Sequence, residues 1–242
     1  ALGGKINNTG LVEVPMGISL REIIYEIGGG IKDGKRFKAV QTGGPSGGCI
    51  GQGNLDIRID YDSLGSIGSM MGSGGMIVMD ECNCMVDIAT FYMDFLTEES
   101  CGNSTACRTG SSRLLELLTD ITEGRGSQEH LDKLQSLGRV MQDTALCGLG
   151  QTAPNPVLST MHFFMDEYKA HALEKRCPAK VCQKLLDYVI TEACIGCTRC
   201  ARECPVHCIE GTRKEHHSID KARCIKCGTC EVVCPVHAVV RA

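Results

Sequence analysis

The chain has 242 residues, 43% of them hydrophobic, enough for one large domain or two to three small ones with buried cores. A net charge of −4 and a pI near 6.0 leave no polyelectrolyte footprint, which argues against nucleic acid as a partner. No apolar run approaches the ~20 residues of a bilayer-spanning helix, so membrane insertion is not expected.

In chain order, the opening Ala1-Leu-Gly-Gly-Lys shows neither a signal-peptide pattern nor an initiator methionine, and reads as the cut end of a longer polypeptide. Gly10-Leu-Val-Glu-Val-Pro alternates as a strand should. Ser19 to Ile27 is predicted as a short helix, with Ser19 as N-cap, Glu22 at the capping-box position and Gly28 as its stop. Phe37 to Gln41 is a second strand, ending in a loop from Gly43 to Cys49. Glycines in that loop could approach a phosphate or an isoalloxazine, but with no G-x-G-x-x-G or P-loop lysine beside them a turn is the better reading. Together these make residues 1–80 an α+β unit.

Residues 81–187 change to helical period. Ile88 to Leu96 is apolar, and Arg113 to Thr122, Leu131 to Met141 and Val157 to Ala170 carry apolar side chains at i, i+3, i+4. Glycines at 124 and 126, then glycines and prolines from Gly148 to Pro156, punctuate the gaps. A bundle of roughly four helices is predicted. Cys84, His171, Cys177 and Cys182 sit at its edges. Three thiolates and an imidazole form a common structural zinc set, which here would clamp the C-terminal arm against the bundle. Cys82 competes with Cys84 for the fourth position, and four ordinary buried thiols and imidazoles remain the other reading. Cys49 and Cys208 read as packing residues.

Residues 188–242 contain Cys194, Cys197, Cys200, Cys204 and Pro205, spaced C-x2-C-x2-C-x3-C-P. Cys224, Cys227, Cys230, Cys234 and Pro235 repeat the run thirty positions later. Three thiolates on a tight loop grip one face of a cubane, and the cysteine before proline reaches the other cluster. Cys194, Cys197, Cys200 and Cys234 are therefore expected to hold one [4Fe–4S] cluster, and Cys224, Cys227, Cys230 and Cys204 a second. Zinc, with four ligands per site, would leave the third cysteine and the C-P pair without a role. Cysteines packed this densely in a long chain point to a reducing cytoplasm rather than to a secreted disulfide scaffold. His207 and His237 follow the two C-P pairs and read as surface histidines that could tune a cluster by charge.

The stretch from Tyr61 to Gly75 (Tyr61-Asp-Ser-Leu-Gly-Ser-Ile-Gly-Ser-Met-Met-Gly-Ser-Gly-Gly), Glu99-Ser-Cys-Gly and Cys147-Gly-Leu-Gly-Gln-Thr-Ala-Pro-Asn-Pro resemble the NADH-oxidising flavoprotein subunit of respiratory complex I. They are still more similar to its relatives in NAD-linked, electron-bifurcating [FeFe]-hydrogenases and formate dehydrogenases. The resemblance implies a β-grasp domain of the soluble-ligand-binding type, then a helical bundle with its own iron–sulfur site, then a two-cluster domain like bacterial ferredoxin. It implies FMN and NAD(H) on an upstream domain, and as partners a soluble ferredoxin and the other subunits of a multi-subunit oxidoreductase. It also assigns Cys101, Cys107 and Cys147 to a third cluster in the bundle.

The family pattern at that place resembles S-C-G-x-C-x-P-C-R. Here Ser104 stands for the middle cysteine and Ala106 for the proline. A serine oxygen is a harder, more basic ligand than a thiolate. A [4Fe–4S] cluster with oxygen on one iron, a [3Fe–4S] cluster and an empty site all remain open. No nucleophile–base pair or open metal position is evident, so the expected function is a relay of single electrons within an NAD(H)-dependent oxidoreductase. A docking scaffold carrying little current and a zinc-binding regulator are the rival readings.

Overall fold

Ser19 and Glu22 make the reciprocal contacts of a capping box: the Ser19 N–H donates to the Glu22 carboxylate at 2.9 Å, and the Glu22 N–H donates to Ser19 Oγ at 3.2 Å. The helical segment they start, Glu22–Ile27, is wide, with the Gly28 N–H reaching back five residues to the Ile23 carbonyl. The computed structural model describes residues 1–241. They divide into two units, Ala1–Ala179 and Lys180–Ala242.

The first unit is built on a four-stranded sheet of β1 (Leu2–Gly4), β2 (Phe37–Thr42), β3 (Gly48–Gly51) and β4 (Met76–Asp80), in the order β1-β4-β2-β3. The β1–β4 pair is parallel and the others are antiparallel. Leu20, Ile24, Val40, Ile50, Leu64 and Val78 form a core on one side, with the short helix α1 (Tyr61–Ser66) contributing Leu64. Asp60 caps α1 by accepting from the Ser63 N–H at 2.7 Å. Ala39, Cys49, Met79 and Met85 form a smaller cluster.

Two expectations need correction. The alternating stretch after Gly10 is not a strand: only Gly10 forms a bridge, to Leu2, while Leu11 and Val12 are exposed. Pro15 removes one ladder donor there, and the glycine-flanked β1 takes the place beside β4 instead. Cys49 lies within β3 rather than in a loop, its N–H donating to Ser159 Oγ at 2.9 Å.

The helices follow the periodic stretches closely: α2 (Met85–Glu98), α3 (Thr105–Thr122), α4 (Gln128–Thr144), the short α5 (Gly148–Thr152) and α6 (Asn155–Ala172). Each long helix turns its apolar stripe inward, burying Met93, Leu114, Leu134 and Val157 among others. A half-buried ion pair ties β2 to α6, with Lys38 Nζ 2.6 Å from the Glu167 carboxylate. Thr160 Oγ1 lies 2.6 Å from the Pro156 carbonyl and 2.7 Å from the hydroxyl of the buried Tyr168. The α6 backbone leaves helical geometry at Phe164.

The second unit holds β5 (Tyr188–Ile190), α7 (Arg199–Glu203), β6 (Ile209–Glu210), β7 (Ser218–Ile219), α8 (Thr229–Val233) and β8 (Val239–Arg241). β5 pairs with β8 and β6 with β7, both antiparallel. The thirty-residue repeat is visible in the backbone. Left-handed φ recurs at Gly196 and Lys226 (63° and 58°), at Thr198 and Gly228 (62° and 76°), and at His207 and His237 (48° and 50°).

Met141 of α4 packs directly on Gly110 of α3, where a Cβ would come within 2.5 Å of its Sδ. Gly110→Val should therefore cost about 1–3 kcal/mol by overpacking. Gly65→Ala in α1 meets nothing within 4 Å and should gain about 0.5–1 kcal/mol of helix propensity. Denaturant midpoints of the two variants check the contrast.

Candidate metal and cluster sites

The two cysteine runs curl around two cavities in the second unit. One is lined by Cys194, Cys197, Cys200 and Cys234, the other by Cys224, Cys227, Cys230 and Cys204. Each cavity thus brings together three cysteines of one run and the last cysteine of the other. They are matched in lining, as duplicated halves should be. Apart from sulfur, their walls are mostly aliphatic, with Ile190, Val236 and Val239 in the first and Val206, Ile209 and Ile219 in the second.

The local backbone explains how the thiols come to face inward. Left-handed residues at 196 and 198, and at 226 and 228, wind each three-cysteine loop tightly. Helices α7 and α8 then bury Cys200 and Cys230. Burial raises both of these thiols, Cys230 to about 11. Burial acts the same way on Cys204 and Cys234, but backbone N–H donors around each outweigh it and hold both below the usual thiol range. The Ala238 N–H donates to Cys234 Sγ at 3.2 Å, and the Lys226 N–H to Cys224 Sγ at 3.4 Å. The two crossing thiols are therefore the ones the backbone prepares for ionisation. This donor set, soft, anionic and walled by apolar side chains, fits iron–sulfur clusters.

Cys208 also lines the second cavity, its Sγ 3.5 Å from Cys204 Sγ. Burial and this contact push it up to about 12, so it stays a thiol. The equivalent residue of the other half is the buried Ala238.

In the first unit, Cys101 lies on the exposed loop before α3, Ser104 is the N-cap of α3, Cys107 is in its first turn, and Cys147 is the N-cap of α5. Cys107 is buried, with its Sγ 3.4 Å from Ser100 Oγ. The first turn of α5 packs on it: a Cβ at Gly150 would come within 3.0 Å of Cys107 Cβ and 3.5 Å of its Sγ. Arg108 holds the loop by donating to the Gly102 carbonyl. Ser104 is buried, yet its hydroxyl makes no capping bond to its own helix. The loop from Cys101 to Cys107 and the turn at Cys147 thus share one corner of the bundle.

The ligand atoms of Cys84, His171, Cys177 and Cys182 lie within 4.8 Å of one another, and all four residues are buried. Cys84 is the N-cap of α2, His171 is in the last turn of α6, and the other two follow on the succeeding segment. Cys84 Sγ is 3.2 Å from His171 Nε2. His171 Nδ1 is 2.7 Å from the Glu167 carbonyl, which can only accept, so Nδ1 carries the hydrogen and Nε2 faces the thiols. Burial alone would lower His171, but bonds to the Cys177 and Cys84 sulfurs dominate and raise it to about 10. Cys82, the competing ligand, is exposed and outside this group.

One residue of the first cavity has no signal in the sequence. His217 lines it, wholly buried, whereas the histidines that follow the C-P pairs, His207 and His237, line neither cluster cavity. No spacing relates His217 to the cysteine runs, so only the folded loop reveals it.

Three family models match. The iron–sulfur binding region of NADH-ubiquinone oxidoreductase-F covers residues 87–171, a 4Fe-4S dicluster domain covers 188–241, and an SLBB domain covers 1–50. The NADP-reducing hydrogenase subunit HndC of Solidesulfovibrio fructosivorans is 60% identical over 90% of this chain and 44% of its own length. The second F-type subunit of the NADH-quinone oxidoreductase of Rhizobium meliloti is 40% identical over 73% of this chain and 42% of its own. An NAD+-reducing [NiFe]-hydrogenase structure superposes on 70% of this chain and 28% of that chain, with a TM-score of 0.62 and 25% identity. The chain spans less than half the length of the curated relatives it matches. It is a homologue of the F-type subunits of NADH-quinone oxidoreductases and of the hydrogenase subunit HndC, over the portion of those proteins that binds iron–sulfur clusters.

Proposed function

We propose that this chain is the electron-transfer portion of an NAD(H)-dependent oxidoreductase subunit, relaying single electrons between FMN and a ferredoxin or partner redox subunit. The observation that carries the reading is the pair of matched cavities, each combining three cysteines of one run with the fourth of the other. When bound there, [4Fe–4S] clusters supply reversible one-electron chemistry, at low potential because four anionic thiolates grip each one. The chain's own residues do the rest. The cysteines present thiolates, backbone N–H groups donate to their sulfurs, and aliphatic side chains wall the two cavities.

Cys101, Cys107 and Cys147 are our candidates for a third cluster, with Ser104 as a possible oxygen ligand. The match of residues 87–171 to an iron–sulfur binding region supports this. We read the N-terminal segment as a soluble-ligand-binding β-grasp domain. Its SLBB match and the parallel pairing of its first and last strands support that reading. FMN and NAD(H) belong to the remainder of the longer polypeptide, and the partners are other subunits of a cytoplasmic complex. Among the described residues, no helix is long and apolar enough to cross a membrane.

Cys84, His171, Cys177 and Cys182 are assigned to zinc. Three buried sulfurs with an imidazole make a closed tetrahedral set without an open coordination position, which suits structure rather than catalysis.

Three outcomes check these assignments. Replacing Cys234 by alanine should remove the cluster gripped by the first run and spare that of its own run, as resolved by EPR of anaerobically purified protein. Loss of only the second-run cluster would reverse the pairing. Elemental analysis should find about one zinc per chain, and Cys177→Ser should abolish it while lowering stability by at least about 4 kcal/mol. Zinc absent from protein prepared without chelator removes that assignment. Finally, Ser104→Cys should raise iron retention at the bundle site under air. Unchanged iron content and unchanged oxygen tolerance would show that the serine imposes no weakness.

A further inference from the structure

Residues 212–217 are laid tightly on the first cysteine loop. The Lys214 N–H donates to the Gly196 carbonyl at 2.9 Å, and a Cβ on Gly196 would come within 2.4 Å of the Glu215 nitrogen. Gly211, at φ +150°, makes room for what this segment delivers, since a Cβ there would lie 2.6 Å from His217 Cγ. The His217 ring is thus seated by two glycines, one beneath it and one beneath its loop.

His217 Nδ1 is 3.0 Å from the Glu215 carbonyl, which can only accept, so Nδ1 carries a hydrogen. Nε2 is buried and has no hydrogen-bond partner. Buried polar atoms without partners are rare and costly, so the location of this one is informative. The side chain lines the cavity formed by Cys194, Cys197, Cys200 and Cys234, where sulfurs and the Thr198 hydroxyl are the side-chain acceptors for an imidazole N–H. No histidine lines the second cavity. Apart from its cysteines, its polar side chains are those of Tyr188 and Thr229.

We propose that His217 is a non-ligating partner of the first-run cluster, donating from Nε2 to one of its sulfurs and setting its potential above that of the second. The inference rests on reading the first run as a [4Fe–4S] ligand set. Such a donor stabilises the reduced, more negative cluster over the oxidised one, as hydrogen bonds to cluster sulfur generally do. The two halves of the repeat, alike in cysteines and backbone, would then differ in potential through one side chain, and the electron would rest on the first-run cluster.

The test uses cluster-loaded protein with all histidines 15N-labelled, the first-run EPR signal being the one lost in Cys197→Ala. Pulsed EPR of the reduced native protein should detect a 15N coupling at this signal that disappears in His217→Leu. In a redox titration of that variant, the ratio of reduced to oxidised first-run cluster at fixed potential should fall about tenfold, about 59 mV for a one-electron couple. The second-run signal should stay in place. His217→Gln, whose amide keeps an N–H donor, should recover part of the shift.

An absent coupling in native protein, an unchanged first-run midpoint in His217→Leu, or equal shifts of both clusters would overturn the inference. If His217→Leu cannot hold the cluster, the native coupling and the His217→Gln midpoint decide the question. A native protein with no first-run signal would instead refute the ligand reading beneath the proposal, and the proposal with it.

Discussion

Thiolates gathered in an apolar place lose hydration and repel one another, and the arrangement of the second unit follows from that cost. Burial pushes Cys200 and Cys230 away from ionisation, and nothing in their own helices offsets it fully. The crossing cysteines Cys204 and Cys234 are held below the usual range by clusters of backbone N–H groups. Left-handed turns supply such N–H groups cheaply, because they aim successive amides at one point. The positive φ angles repeated thirty residues apart are therefore part of the electrostatics as much as of the chain's path.

The same cost separates the two kinds of candidate site. Around Cys84, His171, Cys177 and Cys182 the ligand atoms lie within 4.8 Å of one another, a compact set that one ion can gather. An imidazole in place of a fourth thiolate limits the negative charge, and its Nδ1 is committed to the Glu167 carbonyl behind it. The ferredoxin-like cavities instead each gather thiols from both cysteine runs behind aliphatic walls, which suits a larger group that spreads the charge over several irons. Sulfur ligands are common to both, and the imidazole in one set and the paired cysteine runs of the other distinguish the chemistry.

Much of this is legible in the sequence where the interactions are local. The capping box of Ser19 and Glu22, the four long helices and the spacing within each cysteine run all depend on residues a few positions apart. The sequence leaves the choice between Cys84 and Cys82 open, because residues two apart on an irregular segment differ only in which way they face once α2 begins. β1 carries no local signal: its Leu-Gly-Gly has little strand propensity and is held by pairing with β4, more than seventy residues away. His217 is hidden for a similar reason. Its place depends on the long-range packing of residues 212–217 over Gly196, which leaves no mark on local spacing.

The bundle corner is where sequence and structure press hardest on the relay. Cys107 is already buried and crowded by α5, so its sulfur cannot move far to suit a cofactor. Cys101 and Cys147 are exposed on turns and can adjust. Ser104 is fixed by its N-cap position at the start of an eighteen-residue helix, but its hydroxyl is not spent on capping that helix. An N-cap serine that forgoes its cap gives up about 1 kcal/mol of helix stability. That helix is well secured by Leu114, Leu117, Leu118 and Ile121 in the core, so its fold does not depend on the cap. The hydroxyl is thus left available at the start of α3, within one turn of the buried Cys107 and on the side where α5 packs, so whatever occupies this corner meets an oxygen as well as a thiol.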